Sequence, residues 1–206
     1  MDTRRKIGAV ITAAGMSTRM GALKQTLPLG GKTIIEVVVT HFLNAGVDEI
    51  VVVSGFRSEE VREALKGYPV TIVENADYAT TQMFDSVKIG LNCIKDQCDR
   101  FFFTPVDVPA FKESTLLAEL ASDAPIVIPV SRGEKGHPIL LDASLIPDIL
   151  LYAGERGLEG ALQSLSVESV FLDVEDKGAL MDADTPKEYF EVRQYYENES
   201  IEDLKP

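Results

Sequence analysis

Residues 6–29 read KIGAVITAAGMSTRMGALKQTLPL, and the change of character inside this stretch governs the reading of the whole chain. Its first part, 6–12, is a compact apolar run of strand length, rich in β-branched residues, which predicts a buried strand. Its second part, 13–29, is a loop that opens on Gly15 and carries Ser17, Arg19, Gly21, Lys24 and Pro28. Loops that leave the carboxyl ends of parallel strands are where open α/β sheets hold ligands. Glycines let backbone N–H groups approach phosphate oxygens, and Arg19 and Lys24 add two fixed positive charges spaced to bracket a triphosphate. Glycine and basic content alone fit an ordinary solvated loop equally well. A Walker A loop is excluded, because Gly15 and Gly21 are one residue too far apart and Ala22 takes the lysine position; GxGxxG is absent too.

Working outward, strand and helix signals alternate. Strands are expected at Glu49–Ser54, 70–73, 100–104 and 125–130, and helices from the Thr33/Glu36 capping box to Gly46, from Ser58, over 85–94 and over 112–122. The segment 136–141 breaks the rhythm and reads as a strand of an antiparallel element. Two helical pieces over 143–165 and a strand over 167–174 follow. Thr185, Pro186 and Glu188 form a second capping box, opening a last helix that runs to about Asn198, with the final eight residues expected to fray. The pattern predicts one α/β domain over 1–206 with a mostly parallel sheet.

The chain has 206 residues, 45% of them apolar and 26% charged, which is ordinary for a folded globular protein. No apolar run approaches the ~20 residues of a membrane-spanning helix. Arg4, Arg5 and Lys6 before an apolar run imitate an export signal, but that run is short and Arg19 and Lys24 follow closely. Cys93 and Cys98 match neither a CxxC motif nor a zinc pair, so two free thiols and a cytoplasmic location are expected. The net charge of −13 argues against nucleic-acid binding through the general field. Residues 1–32 nevertheless hold six basic side chains and one acid. A local basic loop on an acidic body suits a small anionic ligand.

Two acidic positions complete the pattern. Asp107 follows the apolar strand RFFFT between Pro105 and Pro109, and Asp184 precedes the Thr185 cap, with Asp182 nearby. Each alone reads as a solvated or capping acid. Together with a basic loop they suit Mg²⁺, which takes one or two carboxylates plus substrate phosphates and waters. His41 reads as a packed or surface residue. For His137, substrate contact and hairpin packing are equally good readings.

These segments resemble the MobA/MocA-like nucleotidyltransferases, which include the molybdenum cofactor guanylyl- and cytidylyltransferases. The loop 13–29 is similar to that family's AAGxSxRMGxxKxxLP signature. Gly55-Phe56-Arg57, Asn75-Ala76-Asp77-Tyr78, the TPVDVP acid, Gly136-His137-Pro138 and Asp182-Ala183-Asp184-Thr185-Pro186 follow in the family's order. The resemblance implies a three-layer αβα, Rossmann-like nucleotide-diphospho-sugar-transferase fold with a mostly parallel mixed sheet. It implies that Ala13, Ala14, Gly15 and Ser17, with Arg19 and Lys24, hold the triphosphate. Asp107 and Asp184 would bind Mg²⁺, and Arg19, Lys24 and Asp107 would act in catalysis. Asn75, Gln82 and Ser86 would lie near base and ribose, and His137 on the acceptor side.

The implied reaction is Mg²⁺-dependent transfer of a nucleotidyl group, CTP favoured, to a phosphorylated acceptor such as the molybdopterin cofactor, with a molybdoenzyme as a further partner. Alternatives are a guanylyltransferase, a sugar- or polyol-phosphate cytidylyltransferase, and a non-catalytic protein that binds and delivers nucleotide or cofactor. The chain departs from the pattern at Gln82, where the family has glycine, and at Asp85, where it has serine. A side chain stands where backbone usually approaches nucleotide, and the added carboxylate is expected to repel phosphate, unless Gln82 hydrogen-bonds a base edge.

Overall fold

The computed structural model of the protein describes residues 4–202. In chain order the elements are β1 (Ile7–Ala13), β2 (Pro28–Leu29), β3 (Lys32–Thr33), α1 (Ile34–Asn44), β4 (Glu49–Ser54), α2 (Ser58–Ala64), β5 (Thr71–Glu74), α3 (Met83–Ile94), β6 (Arg100–Pro105), α4 (Glu113–Leu120), β7 (Ile126–Ser131), β8 (Glu134–Lys135), β9 (Ile139–Asp142), α5 (Ile146–Leu151), α6 (Gly157–Ser164), β10 (Ser169–Asp173) and α7 (Pro186–Glu202). The main sheet runs β10-β7-β9-β6-β1-β4-β5, with β8 added to β7, while β2 and β3 form a separate small hairpin. β5, β4, β1 and β6 are parallel, β9 is antiparallel to both β6 and β7, and β10 is parallel to β7.

β1 shows why the sheet is covered on both faces. All seven of its residues are buried, so its side chains, alternating by strand geometry, enter two cores. Ile7, Ala9, Ile11 and Ala13 join a core with residues of α1, α2, α4 and α7, such as Phe42, Val61, Leu116 and Val192. Val10 joins the opposite core with Leu91 of α3, Ile146 of α5 and Ala161 of α6. These are the three layers that the family resemblance implied.

The capping signals explain the helix starts. Thr33 and Glu36 form the reciprocal box at α1, and Gly46 follows the helix in the left-handed conformation, φ 77°. At α7 the Thr185 hydroxyl accepts from Glu188 N at 3.3 Å. The return bond from Glu188 is absent among the described residues, where its buried Oε2 has no partner. That helix continues to Glu202, four residues past the expected end. Residues 199–202 belong to that helix, and 203–206 lie outside the described residues.

Topology fixes the position of the site. From β1 the chain moves to β4 and β5 on one side, then returns to place β6 on β1's other side. The reversal opens a crevice at the carboxyl ends of β1 and β6, the switch point where open α/β sheets bind ligands. Thr12 pairs with Pro105 and Ala13 with Ser54, so the 14–23 loop leaves the sheet beside Val106 and Asp107. None of the described helices is long and apolar enough to cross a membrane.

Candidate active site

The loop after β1 is braced from inside. Ser17 adopts φ 52° and Gly21 φ 67°, a reversal closed by the Met20 N–H donating to Ser17 O at 3.0 Å. The Ser17 hydroxyl accepts from the Lys24 N–H at 3.1 Å and donates to Gln25 Oε1 at 3.3 Å. Gln25, fully buried, donates through Nε2 to Ala13 O at 2.8 Å and Gly15 O at 3.2 Å. One amide thereby satisfies two loop carbonyls and ties the loop to the end of β1. The sequence reading passed over Gln25. Its only signal was a polar residue lodged between Lys24 and the Leu27-Pro28-Leu29 run, which is weak by itself.

Four charged residues singled out from sequence converge at the switch point. Lys24 Nζ lies 2.7 Å from Asp107 Oδ2 and 2.7 Å from Asp184 Oδ1. Arg19 Nη2 lies 2.7 Å from Asp184 Oδ2. Burial alone would lower the Lys24 pKa, but Asp107 and Asp184 overcome it and raise it. Asp184 is held below the usual carboxylate range, because hydrogen bonding and charge from Lys24, with Arg19, outweigh its partial burial. Asp182 is exposed, yet its carboxyl is pushed up to about 6, first by partial desolvation and then by the charges of Asp107, Asp184 and Glu188.

The expected metal pair therefore faces one shared cation position, and Lys24 fills it. Two carboxylate oxygens from separate loops, converging beside a cleft, are a hard-oxygen donor set of the kind Mg²⁺ takes. The residues present fit the ion.

A cleft of about 140 Å³ adjoins this cluster, bordered by Gly15, Lys24, Asn75, Gln82, Ser86 and Asp107. A Cβ built on Gly15 would meet nothing within 4 Å, so the backbone there borders open space. Asn75 and Ser86 are both buried and serve each other: Asn75 Nδ2 donates to Ser86 Oγ at 3.0 Å and Thr81 Oγ1 at 2.9 Å, and its Oδ1 accepts from Asp77 N at 3.1 Å. This pair pins the 75–82 loop to the first turn of α3.

Asp85 also has a local task. Its Oδ2 accepts from the Gln82 N–H at 2.8 Å, capping α3. The carboxylate expected to repel phosphate is absent from the cleft lining and engaged at the helix start. Gln82 borders both this cleft and a larger one of about 470 Å³.

His137 lines the larger cleft, edge-on to Phe103 with ring centroids 5.8 Å apart. Burial pulls its imidazole pKa down, against a backbone hydrogen bond at Phe103 and the Asp107 charge. Its buried Nδ1 has no partner among the described residues. His137 thus packs against Phe103 of β6 and borders the open space of the cleft. The rest of that cleft is mostly apolar, with Met83, Phe84, Leu158 and Phe171, and with Lys135 and Arg156 as its basic residues. Sequence reasoning did not select these, because apolar residues at helix and strand spacing are indistinguishable from core. His41 packs on Phe111 and Tyr196, with centroids 5.1 and 6.0 Å away, in the α1–α7 layer.

Residues 9–170 match the family described as the MobA-like NTP transferase domain. The chain belongs to this family and is a nucleotidyltransferase. It is 28% identical over 193 residues to the molybdenum cofactor cytidylyltransferase of Escherichia coli (strain K12), covering 92% of this chain and 97% of that protein. It is 25% identical over 202 residues to the nicotine blue oxidoreductase of Paenarthrobacter nicotinovorans, covering 90% and 96%. Among solved structures, a nucleotidyl transferase from Methanothermobacter thermautotroptrophicus superposes with a TM-score of 0.83 at 29% identity, over 94% of this chain and 99% of that one. Relatives of this degree carry different activities, so likeness marks this MobA-like transferase by family, and the substrate must be argued from its own clefts.

Proposed function

We propose that this MobA-like transferase moves CMP from CTP to a phosphorylated acceptor of the molybdopterin-cofactor kind, in a Mg²⁺-dependent reaction that releases pyrophosphate. The observation that carries the reading is the convergence of Arg19, Lys24, Asp107 and Asp184 on one point beside the cleft lined by Gly15. An acceptor phosphate oxygen attacks the α-phosphorus of the triphosphate. The new P–O bond forms as the bond to the β-phosphate oxygen breaks, and pyrophosphate leaves with that electron pair. A phosphate nucleophile is ionised at neutral pH, so the chain need supply no general base, and His137 is not assigned that role.

The residues have separate tasks. The backbone from Ala13 through Ser17 borders the phosphates, and Arg19 and Lys24 neutralise charge on the pentavalent phosphorus and the departing pyrophosphate. Asp107 and Asp184 hold Mg²⁺, which supplies further charge neutralisation when bound. Asn75 and Ser86 set the shape of the base and ribose side, and Gln82 stands at the passage to the acceptor cleft.

The preference for CTP rests on the likeness to a cytidylyltransferase over most of both chains. The apolar 470 Å³ cleft with Phe171 and Met83 suits a ring-bearing acceptor better than a sugar or polyol phosphate. The same likeness, to a molybdenum cofactor cytidylyltransferase, supports that acceptor. The test is pyrophosphate release with CTP, GTP, ATP or UTP, Mg²⁺ and molybdopterin cofactor. Turnover with CTP above the other three is expected. Saturable nucleotide binding without turnover would instead mark a binding protein.

A further inference from the structure

Lys24 has two anionic partners to serve, the carboxylate pair and the triphosphate of the proposed reaction. As a phosphate ligand its ammonium must face the cleft, yet in this structure it is bound 2.7 Å from each of the two carboxylates that suit the metal. We infer that Lys24 is an internal stand-in for the divalent cation. It keeps Asp107 and Asp184 together before a metal binds and moves to the triphosphate only when a metal takes its place. The inference rests on the reading of the site given above and adds to it an obligatory exchange of partners.

The charges require some cation there. Asp107 and Asp184 lie 77 positions apart in the chain and come from different loops, and the Asp107 side chain is only 14% exposed. With no positive charge between them they would repel, and partial burial strengthens that repulsion. Lys24 is itself only 11% exposed. Among the described residues Arg19 pairs with Asp184 from the solvent side and not with Asp107. The ammonium therefore bridges the pair by itself.

The anchorage of Lys24 lets its head move while its backbone stays. Its N–H donates to Ser17 Oγ at 3.1 Å, and its carbonyl accepts from Leu27 N at 3.1 Å. The ammonium sits at the end of a flexible four-carbon stem and borders the same cleft as Gly15. Rotation about the stem can carry it from carboxylate to phosphate without refolding the loop.

Binding of metal and nucleotide then becomes linked. A metal alone must evict an ammonium that has no other anion to join. A nucleotide alone draws Lys24 away and leaves two carboxylates facing each other. Arriving together, each supplies the partner that the other displaces. Each ligand must therefore raise the affinity for the other by the same factor.

The probe is Mn²⁺, titrated by electron paramagnetic resonance into the whole chain without nucleotide. Lys24→Met removes the charge and keeps the stem. Folded Lys24→Met, checked by circular dichroism, is expected to bind one Mn²⁺ about tenfold tighter than the wild type, within the usual range of coupling between sites. The gain should vanish in Lys24→Met/Asp184→Asn. Equal or weaker Mn²⁺ binding by folded Lys24→Met overturns the inference. Should that variant not fold, the wild type decides: α,β-methylene-CTP should tighten Mn²⁺ binding about tenfold, and an unchanged affinity overturns the inference. Failure of any nucleotide to bind would refute the proposed function, while the nucleotide-free comparison would still decide the role of Lys24.

Discussion

The backbone carbonyl of Asp107 accepts a hydrogen bond from the Ala183 N–H at 2.8 Å. This bond joins the loop after β6 to the loop before α7, and so fixes Asp107 relative to Asp184, one residue past Ala183. Backbone joins the two distant segments, and the Lys24 ammonium offsets the charge of the carboxylates they bring together.

Ala183→Pro removes the donor and leaves the Asp107 carbonyl without its partner. Because Ala183 is completely buried, the expected loss of stability is about 2–4 kcal/mol. The loss should appear as a shift in the urea midpoint, and transfer activity should fall at temperatures where the variant remains folded. Wild-type activity in that variant would separate the two loops functionally.

Gln25→Ala should act through the loop. Losing the amide removes a buried donor from the Ala13 and Gly15 carbonyls, at a cost of about 1–3 kcal/mol. The KM for nucleotide is expected to rise by up to about fivefold, since a loop held about 1 kcal/mol less firmly samples its binding form less often. Steady-state kinetics check this, and an unchanged KM would remove Gln25 from the account.

Asp85→Ser, which restores the family's residue, tests whether the departure is functional. Because Asp85 caps α3 through the Gln82 N–H, the substitution should cost about 0.5–1 kcal/mol and leave nucleotide affinity unchanged. A clear rise in affinity, measured by calorimetry, would show that the carboxylate does repel phosphate.

Glu119 gives a pH test away from the site. It is fully buried, neither of its oxygens has a good hydrogen-bond partner among the described residues, and burial pushes its carboxyl up to about 9, against the opposing pull of Arg100. A raised acid pKa means that the unfolded chain releases this proton first. This group therefore removes stability as pH rises from about 4.5 to about 9, at up to about 1.4 kcal/mol per pH unit. Glu119→Gln cannot release a proton there. Its stability relative to the wild type should rise steadily between pH 5 and 8 in urea titrations, and parallel profiles would contradict the assignment.

Much of this was legible from sequence because local signals agreed with global ones. The run 6–12 had to be buried, the Thr33/Glu36 box had to start a helix, and the 13–29 loop had to leave a strand end. The charged residues of the site could be chosen because charge in a Gly-containing loop and acids at strand and helix ends are unusual enough to notice. What stayed hidden depends on three-dimensional pairing. Gln25 is recognisable as a brace only once the Ala13 and Gly15 carbonyls face it. Asp85 changes from an intruding charge to a cap once α3 is seen to begin at Met83 and not at Asp85 itself. The ion pairs of Lys24 stayed hidden in the same way, since nothing in chain order places its ammonium between Asp107 and Asp184.

The most direct measurement is pyrophosphate release from CTP and molybdopterin cofactor as Mg²⁺ is varied, in the wild type and in Asp107→Asn. The wild type should turn over with saturable Mg²⁺ dependence. Asp107→Asn should stay folded, because its backbone bond to Ala183 survives, and lose about a hundredfold or more in rate. Equal rates in the two proteins would put the chemistry somewhere other than the Lys24–Asp107–Asp184 cluster.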